Sequence, residues 1–172
     1  MEPAPRPVRA EDAPALRAFF QALEAERCPF LLEGGLPTTP DSVEDLVQGF
    51  LEEPRSALWV VERDAGVVGL AQFAPHAHPQ QRHWGHLALA VLAPWRGRGL
   101  GRDLMAAFLA WAGGVDGLRH AAVEVFATNA PAIRLYERFG FTRDGVKRAA
   151  ARVGEDFVDI LLLSRRVDRL GK

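Results

Sequence analysis

Residues 91–102 read Val-Leu-Ala-Pro-Trp-Arg-Gly-Arg-Gly-Leu-Gly-Arg, three glycines interleaved with three arginines where an apolar run gives way to a helical pattern. That composition suits anion chemistry. The first N–H groups of a helix lack internal partners and carry the positive end of its dipole, so a pyrophosphate binds there when no side chain blocks the backbone. Gly97, Gly99 and Gly101 remove those side chains, while Arg96, Arg98 and Arg102 add charge-assisted donors for phosphate oxygens. Three other readings compete. A glycine-rich strand-to-helix turn can be purely structural. A dinucleotide loop would need Gly-x-Gly-x-x-Gly, which is absent: the third glycine falls at Gly101 and residue 102 is arginine. A nucleic-acid patch of Arg-Gly type ordinarily sits in disordered sequence, whereas this one is enclosed by apolar segments. Phosphate binding leads, with the structural turn left open.

Other chemistry-bearing side chains are sparse. Tyr136 is the single tyrosine, His86 interrupts the apolar pattern just before residues 87–92, and Glu124 interrupts that of residues 121–126. His76, His78 and His83 could suggest a metal, but no carboxylate stands at ligand spacing and the surrounding prolines read as exposed loop, so no metal is expected. The lone cysteine, Cys28, can form no intramolecular disulfide, and no Cys/His set has zinc spacing.

The elements that must position these groups follow from periodicity. A short extended piece surrounds Val8; Asp12 then caps a helix with Pro14 in its first turn and Leu16, Phe19, Phe20 and Leu23 on one stripe. Thr39 and Pro40 open a second helix bearing Val43, Leu46, Val47, Phe50 and Leu51. Residues 58–61 and 67–73 form a hairpin about residues 64–66, and residues 87–92 a central strand. A helix with Leu100, Leu104, Phe108 and Ala112 ends at Gly113 and Gly114, and residues 121–126 make the next strand. Asn129 caps a short helix with Ile133, Leu135, Tyr136 and Phe139 on its apolar side; residues 157–163 close the chain as a buried strand. The order predicts a mixed α/β fold in one domain over residues 1–172, with a βαβ crossover in the middle and an antiparallel finish. A formal net charge of −1 offers no general attraction to nucleic acid or acidic membranes. No run of about 18 apolar residues can span a bilayer, and residues 1–9 lack an apolar signal core, so a cytoplasmic address is expected.

Arg96-Gly97-Arg98-Gly99-Leu100-Gly101 resembles the Arg/Gln-x-x-Gly-x-Gly/Ala signature of the GNAT superfamily of acyl-CoA-dependent N-acetyltransferases. The asparagine, Leu-Tyr and Gly-Phe of residues 129–141 are similar to its second signature, and residues 154–159 resemble the closing strand of its small-molecule amine or amino-acid branch. The resemblance implies a mostly antiparallel sheet of six to seven strands, helices on both faces, and strands four and five parallel and splayed. It implies acetyl-CoA as cosubstrate, with Leu89, Val91, Arg96, Gly97, Arg98, Gly99, Gly101, Arg102, Asn129 and Tyr136 at the cofactor. In that picture Tyr136 protonates the leaving thiolate and the Val91 N–H donates to the oxyanion.

The base is His86 or Glu124. An imidazole with an ordinary pKa near 6.5 suits collection of an ammonium proton, though a one-residue bulge would decide the face of His86. Each of these residues also has a bland reading: packing for Tyr136, structural hydrogen bonding for His86 and Glu124, capping alone for Asn129. The acceptor is implied to be a small amine, walled by residues 28–38 and 76–84, with Phe30, Glu33, His83 and Trp84 as candidates. A protein N-terminus as acceptor and a non-catalytic acyl-CoA-binding module are the competing readings. Many members dimerise, which makes a homodimer an expectation.

Overall fold

The computed structural model of the chain describes residues 4–29, 36–64 and 66–168. In chain order the elements are β1 (Arg6–Pro7), α1 (Ala13–Ala25), α2 (Pro40–Glu52), β2 (Ala57–Arg63), β3 (Gly66–Pro75), β4 (Trp84–Val91), α3 (Leu100–Ala112), β5 (His120–Phe126), α4 (Ala130–Arg138), β6 (Thr142–Val153) and β7 (Asp156–Arg166). They build a seven-stranded sheet of order β1-β2-β3-β4-β5-β7-β6. Only β4 and β5 run parallel, joined by α3 as the crossover.

Helices cover both faces of β2 and β3, which therefore read as continuous apolar runs. Leu58, Val60 and Leu70 meet Leu16, Phe19, Phe20, Val43 and Val47 of α1 and α2. On the opposite face Trp59, Val61, Phe73, Leu87, Val123 and Leu163 meet Leu104, Met105 and Phe108 of α3 and Ile133 of α4. Phe19, Phe73 and Phe108 are fully buried, and each such side chain contributes about 1.5–3 kcal/mol.

Two expected caps form: Thr39 accepts from the Ser42 N–H at 3.3 Å and Asn129 from the Ala132 N–H at 3.3 Å. The third does not. Asp12 makes no side-chain cap to α1; its carboxylate accepts two 2.7 Å bonds from the Arg6 guanidinium and one from the Arg9 N–H. A fixed guanidinium fork outcompetes the helix amides for this carboxylate. Strand β6 was not expected from the pattern, because an edge strand exposed along most of its length carries no apolar alternation. Leu51, placed on the buried stripe of α2, is 47% exposed.

The pairing of β4 decides what the sheet offers to a ligand. Trp84 O accepts from His76 N–H at 2.9 Å and the Leu92 N–H donates to Val68 O at 3.0 Å, so even-numbered positions bond to the β3 side. Bonded positions alternate in an antiparallel ladder, which turns the main-chain groups of Leu87, Leu89 and Val91 toward β5. The parallel ladder with β5 ends at His86↔Ala122. Beyond it the strands part, and the amides of Leu89 and Val91 face the gap with no strand partner among the described residues.

Candidate functional site

The gap opens toward the turn that begins α3. After a 3-10 turn at Ala93–Trp95, Gly97 (φ 75°) and Gly99 (φ 88°) adopt the left-handed conformation, which costs about 1–2 kcal/mol for any residue with a Cβ. Gly99 is the N-cap of α3 and supplies no capping side chain, so the first amides of that helix are open to an external anion. Gly101 answers a different demand: a Cβ there would stand 3.2 Å from Leu135 of α4 and 3.8 Å from Leu89 of β4. Asn129, as the cap of α4, holds that helix alongside.

The three arginines are not equivalent. Arg98 lies over the Trp95 ring at 5.0 Å, and Arg102 is paired with Asp103 at 3.1 Å; all three arginines are exposed. Arg96 instead donates from Nε to Val91 O at 2.8 Å and from Nη2 to Glu26 at 2.5 Å.

On the α1/α2 side of the sheet, β5 and β7 carry no helix, and a cleft of about 530 Å³ opens there. His86, regular in register with β3 and free of any bulge, lies on its wall with Glu124, His76, His83 and Trp84. Two residues weighed as rival bases thus share one cleft. The floor is apolar, with Ala122, Val123, Leu162 and Leu163. Glu124 is bound to Lys147 of β6 at 2.6 Å. Burial, followed by the neighbouring His76, holds the His86 imidazole below its ordinary pKa, with Lys147 adding to the effect and Glu124 opposing it. Burial and His76 both favour the neutral imidazole. Trp84 stacks on His120 at 5.3 Å and 20°, which fixes the indole across the first β4–β5 pair.

Tyr136 sits apart from the cleft, 6% exposed in the core between α4 and the sheet, its ring 5.7 Å from Phe141. Burial alone pushes its pKa up to about 12, so the phenol keeps its proton. Phe30 and Glu33 lie outside the described residues. Lys147 and Asp144 of the cleft, and Glu26 at the turn, were not singled out by sequence reasoning, and His76 was weighed only as a metal candidate and as part of the acceptor wall; Lys147 and Asp144 lie on the strand that carried no pattern. No cluster of three metal-ligating side chains occurs among the described residues, and no helix among them is long and apolar enough to cross a membrane.

A left-handed glycine turn feeding a helix is thus set above two parting parallel strands. The profile of the Acetyltransferase (GNAT) family matches residues 18–141, and the chain belongs to that family. It is 30% identical over 103 residues to the L-amino acid N-acetyltransferase AaaT of Escherichia coli, a match covering 59% of this chain and 63% of that protein, less than two thirds of its length. A GNAT-family acetyltransferase from Streptococcus pneumoniae superposes with a TM-score of 0.88 at 24% identity, covering 95% of this chain and 98% of that one. The acetyltransferase yncA of Salmonella typhimurium, solved with its cofactor acetyl-CoA, superposes with a TM-score of 0.77 at 17% identity, covering 98% and 95% of the two chains.

Proposed function

We propose that the chain transfers an acetyl group from acetyl-CoA to the primary amine of a small molecule, an amino acid or related amine, by direct attack in a ternary complex. The observation that carries this reading is the gap beyond His86↔Ala122, a pair that itself lines the cleft on the α1/α2 face, on the strand whose far end leads into the glycine turn. The amides at Gly97, Gly99 and Gly101, with Arg98 and Arg102, hold the pyrophosphate. Leu89 and Val91 offer main-chain groups to the extended arm that follows it. Bound there, acetyl-CoA supplies an acyl carbon open to attack by a neutral amine.

His86 takes the proton from the acceptor ammonium, a task that suits a neutral imidazole. Glu124 is less suited, its carboxylate being engaged by Lys147 at 2.6 Å. The Val91 N–H donates to the oxyanion, and the Tyr136 hydroxyl, protonated throughout the working range, gives its proton to the departing thiolate. Trp84 and His83 flank the acceptor, and the apolar floor admits its side chain. The likeness to an L-amino acid N-acetyltransferase favours an amino acid over a peptide terminus.

The test is release of free thiol from acetyl-CoA in the presence of amino acids, polyamines, aminoglycosides and short peptides, each checked for its N-acetyl product. Turnover with free amino acids is expected. Turnover with peptides alone would move the acceptor to a protein N-terminus, and thioester binding without turnover would leave a non-catalytic module.

A further inference from the structure

Glu26 is a carboxylate beside a site read as binding a pyrophosphate, and by charge alone it should weaken that binding. Its contacts explain its presence. Oε1 accepts from the Ala93 N–H at 2.6 Å, Oε2 accepts from Arg96 Nη2 at 2.5 Å, and Arg96 Nε in turn donates to Val91 O at 2.8 Å. Glu26 caps the C-terminal end of α1, so these bonds tie that helix to both ends of the turn leading from β4 to α3. The Glu26 side chain is 18% exposed, which limits its exchange with water, and the pair links residues 70 positions apart.

Resting on the acetyl-CoA reading above, we propose that Glu26 is a positioning residue for the cofactor turn and that Arg96 serves as its strut, not as a phosphate ligand. Arg96 has its Nε on a strand carbonyl and its Nη2 on a carboxylate, so its charge is neutralised within the protein. The Val91 carbonyl would otherwise face the gap; held by Arg96, it fixes the end of β4 whose N–H faces the same gap. Gly97 and Gly99 contribute no side chains to hold the turn, which leaves the Arg98–Trp95 contact and this brace to fix its shape. The phosphate charge then falls to the turn's amides and to Arg98 and Arg102.

The two roles for Arg96 predict opposite signs. If Arg96 grips phosphate, Glu26→Ala removes a competing anion, frees the guanidinium and tightens CoA binding. If Glu26 and Arg96 form a brace, the same change loosens the turn and weakens binding by about 5- to 20-fold, the range expected for losing a charge-assisted bond. Calorimetry with CoA on the wild type, Glu26→Ala, Glu26→Asp, Arg96→Ala and the Glu26→Ala/Arg96→Ala double variant separates them. The expected result is weaker binding in both single alanine variants and a double variant no weaker than the worse single. Glu26→Asp should recover part of the loss, the KM for acetyl-CoA should rise, and that for the acceptor should stay within about twofold. Equal or tighter CoA binding by Glu26→Ala overturns the proposal, as do additive losses in the double variant. A wild type that fails to bind CoA overturns the acetyl-CoA reading itself, a distinct result. Thermal unfolding of each variant guards against misfolding, and Glu26→Gln, which keeps the shape, serves if Glu26→Ala does not fold.

Discussion

The imidazoles of His76 and His86 stand edge to face with ring centres 4.9 Å apart, one at the end of β3 and the other on β4. The neighbouring His76 disfavours protonation of His86, and partial burial works in the same direction.

If His86 is the base, kcat/KM should fall as pH drops through a midpoint below 6.5, the ordinary value. His76→Ala removes an effect that lowers the His86 pKa, so the acid limb should move to higher pH. Glu124→Gln removes an effect that raises it, so the limb should move to lower pH, the direction in which Lys147 already pulls it. His86→Ala should abolish the limb. Profiles that superimpose across this set would clear His86 of the role.

Tyr136→Phe keeps the buried ring against Phe141 and removes only the hydroxyl. The maximal rate should fall about 100-fold, in the range of a lost general acid, while the CoA dissociation constant stays within about twofold. Steady-state kinetics with calorimetry checks this, and an unchanged rate would return Tyr136 to a packing role.

Gly99→Val forces a β-branched residue into a left-handed position with φ 88°, costing about 1–3 kcal/mol locally. A valine escaping that strain would twist the first amides of α3 out of line. CoA binding should fall at least 50-fold while circular dichroism stays native. Gly97→Ala should have a smaller effect, since alanine meets the left-handed strain at φ 75° without a branched side chain.

Gly85 supports the point where β4 and β5 separate. A Cβ at this position would stand 2.5 Å from the Ala74 carbonyl oxygen and closer still to the Phe73 ring, so neither backbone nor core can yield cheaply. Gly85→Ala should destabilise the fold by about 3 kcal/mol, read as a lower denaturant midpoint. It should also slow turnover, because His86 is the next residue. A midpoint within error of wild type would refute the crowding.

The amino-acid sequence by itself determined the helices, the β2–β3 hairpin and the βαβ unit, because Leu16, Phe19, Leu104 and Phe108 recur at helical spacing and residues 58–61 and 121–126 run apolar. It also determined the glycine turn before α3, since closely spaced glycines mark left-handed backbone locally, as Gly97 and Gly99 prove to be. Strand β6 escaped because its fitness for the sheet lies in main-chain pairing with β7, which leaves no mark on side-chain polarity. Only the tertiary structure decided that His86 and Glu124 share a cleft, that Lys147 reaches Glu124, and that Glu26 meets Arg96. Those relations depend on strand order and on which strand edge is left unpaired. Both are settled by packing of the whole sheet between its helices, across separations that no local periodicity records.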